Sequence, residues 1–328
     1  MSRHSAFMRL DFALGMLEEG DLDAAIEAAL AAIDALPNEA QFHFVLGELY
    51  EKTKAPEKAI TAYQQALILQ DQDHLGAGVR LSLLGAGEHM QRLPADYVEA
   101  LFDDYAPRFE KNLLKHLSYR APEQVFNLLF THLAKMPRKP HVLDLGCGTG
   151  LAGQHIHPIA GRLEGIDLSK KMLKQAEKKK IYNRLLQGDI LAEIAENAPR
   201  FDLVIACDVF NYLGDLSTVF QRTVQRLRPG GFLAFSVESS GFDPSCESFN
   251  LNHTQRFIHN RQTVRNWLSA SGFHIIEERF VPIRTENGEP VEGHLVLARL
   301  KTQLSAKLPP FPAEETETAR QHIAIEPM

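Results

Sequence analysis

Residues 142–150 read Val-Leu-Asp-Leu-Gly-Cys-Gly-Thr-Gly, and this stretch decides the fold. The apolar run from His141 to Leu145, interrupted only by Asp144, predicts a buried parallel strand. The strand ends in a turn that has glycine at every second position, and glycine lets the backbone approach a ligand closely. A polar ligand would meet backbone N–H groups there, at the edge where open α/β sheets bind nucleotides.

The spacing of the glycines separates two classes of cofactor. The dinucleotide fingerprint requires Gly-x-Gly-x-x-Gly, but the sixth position counted from Gly146 is Leu151. With Asp144 two places before the first glycine, the form Asp-x-Gly-x-Gly-x-Gly resembles motif I of class I methyltransferases. The resemblance implies S-adenosylmethionine as the cofactor and a Rossmann-like α/β fold with a seven-stranded sheet.

Strands and helices alternate after residue 140, which predicts a parallel sheet with helices on both faces. Predicted strands cover residues 141–145, 163–167, 185–187, 201–206 and 232–237. A helix capped by Asn260 follows, and then two long strands, 273–283 and 293–300, with Asn287-Gly288 as a hairpin signal. Five parallel strands and a terminal hairpin are the order of the class I methyltransferase sheet.

The N-terminal part carries a repeat with a period of 34 residues between residues 6 and 73, in which Ala25 corresponds to Ala59 and Ala32 to Ala66. The pattern resembles the tetratricopeptide repeat, with a plain helical hairpin as the alternative. We therefore expect an all-α tetratricopeptide-like domain over residues 1–91, a methyltransferase domain over 92–303 and a C-terminal tail over 304–328.

The amino-acid composition limits the classes of partner that the chain is expected to bind. A net charge of −7 argues against a nucleic-acid binder that works through broad electrostatics. The lysine-rich stretch 170–180 is interpreted as a solvated helix face rather than an RNA contact. Three cysteines without metal-ligand spacing predict reduced thiols, no metal and a cytoplasmic chain. The sequence contains no run of membrane-spanning length, so no membrane is expected as a partner.

Acidic residues end four successive predicted strands, which favours a cofactor role over the ordinary use of aspartate as a cap. Asp144 would face the amino-acid end of the cofactor, Asp167 the ribose hydroxyls, Asp189 the adenine and Asp208 the methyl group. The full set of predicted cofactor-binding residues is Asp144, Gly146, Cys147, Gly148, Asp167, Leu168, Met172, Gly188, Asp189, Ile190, Asp208 and Tyr105.

Residues 102–110 and 117–122 are similar to the segment before motif I in bacterial methyltransferases fused to tetratricopeptide repeats. That resemblance implies a leading helix that covers the cofactor and brings Tyr105 to it, with Tyr119 toward the acceptor. The alternative for Tyr105 is a core position of an amphipathic helix.

The acceptor is less defined. The sequence after strand four lacks the Asn/Asp-Pro-Pro-Tyr/Phe tetrapeptide of enzymes that methylate base amines, which argues against DNA. His253, Arg256 and His259 lie in the connection after strand five, where acceptors often bind in this fold. His253 and Arg256 are predicted to bind the acceptor and His259 to act as a general base, with structural histidines as the alternative. The arginine suggests an anionic acceptor.

The sequence therefore predicts an S-adenosylmethionine-dependent methyltransferase that acts on a small molecule of unknown identity. Two alternatives remain open. One is a protein methyltransferase whose repeat presents the substrate, and the other is an interaction protein that binds the cofactor without turnover.

Overall fold

A computed structural model describes residues 3–115, 117–193, 199–239, 248–286 and 288–302. These residues form two compact units. Unit 1 runs up to Asp104 and also contains Tyr212–Asp215 and Phe249–Ile258, and unit 2 contains the rest. The predicted tail, 304–328, lies outside the described residues, as does Cys246.

The helices are α1 (Arg3–Glu19), α2 (Leu22–Ala35), α3 (Ala40–Lys52), α4 (Pro56–Ile68), α5 (Ala77–Leu83), α6 (Ala95–Tyr105), α7 (Phe109–Lys115), α8 (Ala121–Phe130), α9 (Leu151–Ile156), α10 (Lys170–Lys178), α11 (Ile190–Glu193), α12 (Ser217–Arg226) and α13 (Arg261–Ala270). The strands are β1 (His141–Leu145), β2 (Arg162–Asp167), β3 (Arg184–Gln187), β4 (Phe201–Ala206), β5 (Leu227–Ser239), β6 (Phe249–Leu251), β7 (Phe257–His259), β8 (Phe273–Glu286) and β9 (Glu289–Leu300).

Unit 1 contains the predicted helical repeat, with α1 packed on α2 and α3 on α4. Small residues make this packing possible, since Ala25 and Ala59 are fully buried at equivalent positions of the two repeats. Gly47 shows how close the helices come, because a Cβ there would lie 2.5 Å from the ring of Tyr63. A larger residue at position 47 would therefore push α3 and α4 apart.

Segments from much later in the chain complete unit 1. The Leu93 amide donates to the Tyr212 carbonyl at 3.0 Å, and the Phe102 ring packs edge-on against the Tyr212 ring at 5.4 Å. The Tyr97 hydroxyl also donates to the side chain of Gln255. The compact unit extends to Asp104, and the limit of the repeat domain at residue 91 stays a prediction.

Unit 2 is built on one sheet, in which β3, β2, β1, β4 and β5 run parallel in that spatial order. The sheet continues antiparallel through β9 to β8. The predicted order of five parallel strands and a hairpin is thus confirmed. The predicted strand count of seven is lower than the nine strands of the described residues, because β6 and β7 occupy the connection after β5.

Three element boundaries differ from the prediction. The helical stretch predicted over residues 92–120 is divided into α6 and α7, and β5 begins at Leu227 rather than Phe232. The hairpin strands extend to Glu286 and from Glu289, with Gly288 between them at a φ of +85°, while Asn287 lies outside the described residues. Hydrophobic patterning identified only the buried part of β5. It missed the start of the strand because the residues around Arg228 are exposed.

The sheet is covered on both faces, which fixes where a ligand can enter. On one face, Val125, Leu128 and Leu129 of α8 pack with residues of β1 and β4. On the other face of the sheet, the rings of Phe210, Phe220 and Phe235 contact one another at centroid distances of 5.3–5.9 Å. The carboxyl ends of β1, β2 and β4 therefore meet at one edge, next to the glycine turn.

Candidate active site

The turn after β1 has the backbone that its glycines predict. Gly146, Gly148 and Gly150 have φ values of +61°, +54° and +88°, in the region that favours glycine. A Cβ at Gly146 would lie 2.2 Å from a methyl group of Val209, whereas a Cβ at Gly148 would meet nothing within 4 Å. The turn is consequently packed against the end of β4 on one side and open at Gly148.

A cleft opens beside this turn. Its walls come from the turn itself, from the start of α9, from the end of β4 and from the segment that precedes β1. The lining residues are Phe109, Tyr119, Pro122, Gly146, Cys147, Gly148, Thr149, Leu151, Ala152 and Cys207. Cys147 and Cys207 are free thiols whose pKa is raised by burial, so they line the cleft as small neutral groups.

Asp144 lies beneath the turn and is buried, with 1% of its surface exposed. The Tyr182 hydroxyl donates to Asp144 Oδ2 at 2.7 Å. Burial raises the pKa of Asp144 to about 7, although the bond from Tyr182 acts in the opposite direction. Sequence analysis missed Tyr182, whose ring also fills the space beside Gly153 and Gly165.

Asp167 joins the end of β2 to the glycine turn. Its Oδ2 accepts from the Gly148 amide at 2.7 Å, and its Oδ1 accepts from the Ser169 amide at 2.8 Å. The carboxylate is therefore held in one orientation at the position predicted for the ribose hydroxyls. A carboxylate offers about four lone-pair sites, and these two bonds use two of them.

The residues predicted to meet the adenine lie at the ends of β2 and β3. Asp189 Oδ1 accepts from the Leu191 amide at 2.8 Å, so Asp189 does cap α11, as the alternative interpretation held. The Gly188 amide donates to the Asp167 carbonyl, which brings the ends of β2 and β3 together. Met172 and Ile190 are buried, and the Leu168 carbonyl accepts from Gln187. Their contact with an adenine stays a prediction.

The cover of the cleft differs in detail from the prediction. Phe109 and Tyr119 line it, whereas Tyr105 packs edge-on against Phe109 at 5.4 Å and lies outside the lining. Glu110 anchors α7 through an ion pair with Lys179 at 2.7 Å. Burial alone would raise the pKa of Glu110, but the bonds from Lys179 and Thr149 hold it below its usual value.

Asp208, after β4, belongs to a buried ionic cluster that sequence analysis did not anticipate. Arg284 of β8 is fully buried and contacts Asp208 at 3.5 Å, Glu238 at 2.5 Å and Glu286 at 2.6 Å. Asn211 donates to the Asp208 carboxylate as well. The partners are up to 76 residues apart in sequence, so no local pattern could reveal them.

The three predicted acceptor residues after β5 are distributed over both units. His253 and Arg256 lie in unit 1, on a turn where the Arg256 amide donates to Asn252 Oδ1 at 3.1 Å. His259 lies in unit 2, is fully buried and packs edge-on against Trp267. Burial fits the structural alternative for His259, and its role as a general base stays a prediction.

The donor set suits a nucleoside cofactor with an amino-acid end. The turn leaves open space at Gly148, β2 ends in a fixed carboxylate, and Phe109 adds an aromatic ring to the lining. Across the described residues, no group of three or more His, Cys, Asp or Glu side chains is arranged to hold a metal. Within the same residues, no helix is long and apolar enough to cross a membrane.

Comparisons with known families agree with the predictions for both the N-terminal repeat and the α/β region. Residues 143–233 match the family described as a methyltransferase domain, and residues 10–74 match the tetratricopeptide repeat. The prediction of a tetratricopeptide repeat is confirmed.

Individual proteins show the same likeness. The malonyl-[acyl-carrier protein] O-methyltransferase of Enterobacter lignolyticus is 30% identical over 180 residues, which are 53% of this chain and 67% of that protein. The mitochondrial ubiquinone biosynthesis O-methyltransferase of Homo sapiens is 35% identical over 39% of this chain and 37% of its own length. YqeM of Bacillus subtilis, which carries a methyltransferase name, is 38% identical over 33% of this chain and 46% of its own. The chain spans about half the length of the curated relatives that it matches.

Among solved structures, the 1,6-didemethyltoxoflavin-N1-methyltransferase of Burkholderia thailandensis is 21% identical, with a TM-score of 0.48 over 65% of this chain and 93% of that one.

The match to the Enterobacter enzyme covers two thirds of that relative, and the repeat matches its own family. The chain therefore belongs to the class I S-adenosylmethionine-dependent methyltransferases and carries tetratricopeptide repeats before the methyltransferase fold.

Proposed function

We propose that this chain transfers a methyl group from S-adenosylmethionine to a small-molecule acceptor. The observation that carries the proposal is the Asp167 carboxylate, which is fixed by the Gly148 and Ser169 amides beside the glycine turn. An acceptor for two vicinal hydroxyls at the end of β2 is what a ribose-containing cofactor requires in open α/β sheets. The family to which the chain belongs supports the same cofactor.

The bound cofactor would supply an electrophilic methyl group on a sulfonium. The chain has to bind, orient and shield, since in-line placement at about 3–3.5 Å supplies most of the rate effect in such a transfer. Gly148 and Asp167 are positioned to hold the cofactor, and Phe109 and Tyr119 are positioned to keep water from the cleft. Each of these side chains acts by placement, so no covalent step on the protein is required.

For the acceptor, we propose a small molecule that receives the methyl group on oxygen. Support comes from the curated relatives named as O-methyltransferases of malonyl-[acyl-carrier protein] and of ubiquinone biosynthesis. Tyr119 lines the cleft and remains the best-placed of the predicted acceptor residues. His253, Arg256 and His259 remain proposed acceptor residues. The cytoplasm is the proposed compartment, supported by the free thiols of Cys147 and Cys207.

Ligand binding and product formation test the proposal together. In a thermal-shift assay, S-adenosylhomocysteine should raise the melting temperature of the purified chain and a nicotinamide dinucleotide should not. Incubation with S-adenosylmethionine and a small-molecule extract should then release S-adenosylhomocysteine. Stabilisation by the dinucleotide alone would overturn the assignment. Cofactor binding without any product would favour an interaction protein, and label transferred to macromolecules would favour a protein methyltransferase.

A further inference from the structure

Asp208 occupies a strained position at the edge of the cleft. It lies between Cys207, which lines the cleft, and Val209, which packs on Gly146 of the turn. Its φ of +60° is uncommon for a residue with a side chain, although aspartate tolerates it better than most. Such backbone strain persists only where surrounding contacts impose it, and it concentrates at functional sites.

The surrounding contacts hold one carboxylate oxygen of Asp208. Asp208 Oδ1 accepts from Asn211 and from Arg284 Nη1, while the Asp208 amide donates to Ser236 Oγ at 2.9 Å. Among the described parts of the chain, no residue bonds to Oδ2, and 13% of the side chain is exposed. The free oxygen can therefore meet a ligand without first breaking a protein contact.

Arg284 provides the rigidity of this arrangement. Three of its side-chain nitrogens each contact a different carboxylate, those of Asp208, Glu238 and Glu286. The planar guanidinium of arginine presents its N–H donors in fixed directions, so each carboxylate is held in place. When all groups are ionised, the carboxylates exceed the guanidinium by two negative charges, so the cluster favours a positive charge nearby.

We propose that Arg284 and Asn211 are positioning residues that hold the Asp208 carboxylate so that its Oδ2 faces the sulfonium end of S-adenosylmethionine. The carboxylate then favours the cationic cofactor over its neutral product, S-adenosylhomocysteine, which promotes product exchange. This inference rests on the proposed function, because it takes the cleft beside the glycine turn as the cofactor site.

The test compares the affinities of charged and neutral ligands, measured by calorimetry on the full chain. The probes are S-adenosylmethionine, S-adenosylhomocysteine and sinefungin, an analogue with an ammonium group in place of the methyl sulfonium. In Asp208→Asn, we expect affinity for the two cations to fall about tenfold relative to affinity for S-adenosylhomocysteine. The matched comparison is Glu286→Gln, which removes one charge from the same cluster but leaves the Asp208 carboxylate in place, so it should lower the preference for the cations by less than Asp208→Asn does.

The positioning role is tested with Arg284→Lys, which keeps the charge but cannot hold three carboxylates. It should lose part of the preference for the cations. If that variant does not fold, Asn211→Leu removes the other donor to Oδ1 and should have the same effect. Equal losses for all three ligands in Asp208→Asn, or no loss, would overturn the inference. A wild-type chain that binds none of the three would instead overturn the proposed function.

Discussion

At the level of single residues, two carboxyl groups on neighbouring strands have opposite surroundings. Asp144 is buried against the Tyr182 hydroxyl, and its pKa is raised to about 7. Asp167 is half-buried and accepts two backbone N–H bonds, which fix the orientation of its carboxylate. Asp144 is thus a structural group that can exist neutral beneath the turn, while Asp167 is held by backbone N–H groups at the end of β2.

The raised pKa of Asp144 predicts a pH-dependent stability. Its folded-state pKa lies above the unfolded value of about 4, so the folded chain binds the extra proton between roughly pH 4 and pH 7. The contribution of Asp144 to the unfolding free energy therefore falls as pH rises through that window. Asp144→Asn imitates the neutral form, so its melting temperature should gain on that of the wild type by at least about 2 °C between pH 5 and pH 8.

Melting curves of the cofactor-free chain at several pH values check this prediction. Asp11→Asn, at an exposed site on α1, serves as the control and should show no pH-dependent gain. A constant difference between Asp144→Asn and the wild type across the window would contradict the assignment.

Asp167 is predicted to dominate cofactor affinity among the acidic residues of the cleft. Loss of its carboxylate removes the acceptor for the ribose and also releases the Gly148 amide. Asp167→Ala should weaken S-adenosylhomocysteine binding by about 1.5–3 kcal/mol, or roughly ten- to a hundredfold. Lys174→Ala, on the exposed face of α10, is the control. Titration calorimetry that gives equal affinities for the two variants would remove Asp167 from the site.

At the level of elements, we propose α7 as the cover of the cleft. Phe109 begins this helix and lines the cleft, and the ion pair between Glu110 and Lys179 holds the helix in place. Phe109→Ala removes an apolar face from the ligand and should weaken S-adenosylhomocysteine binding about tenfold. Phe130→Ala, at a ring that is 63% exposed on α8, should leave it unchanged. Equal dissociation constants for both variants would show that α7 does not cover the cofactor.

Local signals predicted the elements well, and long-range contacts escaped them. Ser169 caps α10 and Asn260 caps α13, as their positions in the sequence indicate, because a cap needs only the next turn of chain. Tyr182 lies 38 residues from its partner Asp144, and Arg284 lies 76 residues from Asp208. Such pairs depend on how the strands are ordered in space, which no stretch of sequence contains.

At the level of the whole molecule, the chain limits of unit 1 could not be predicted, because part of the unit is encoded far from its helices. A fragment of residues 1–104 lacks Tyr212, which pairs with Leu93 and Phe102, and Gln255, which bonds to Tyr97. We expect the backbone amides of α6 to exchange with solvent at least about tenfold faster in the fragment than in the full chain. The amides of α2 provide the internal control. Equal protection of α6 in both would show that the later segments are dispensable.

The discontinuity of unit 1 also has a consequence during synthesis. The repeat helices are synthesised before the rest of unit 1, which also contains residues up to Ile258. At about 5–20 residues per second, roughly 8–30 s separate the appearance of Asp104 from that of Ile258. During this interval the nascent N-terminal helices lack the later segments of unit 1, Tyr212–Asp215 and Phe249–Ile258, so the surface that packs against those segments is uncovered. Chaperones that bind nascent chains would therefore meet the N-terminal end of this protein before it can complete its own core.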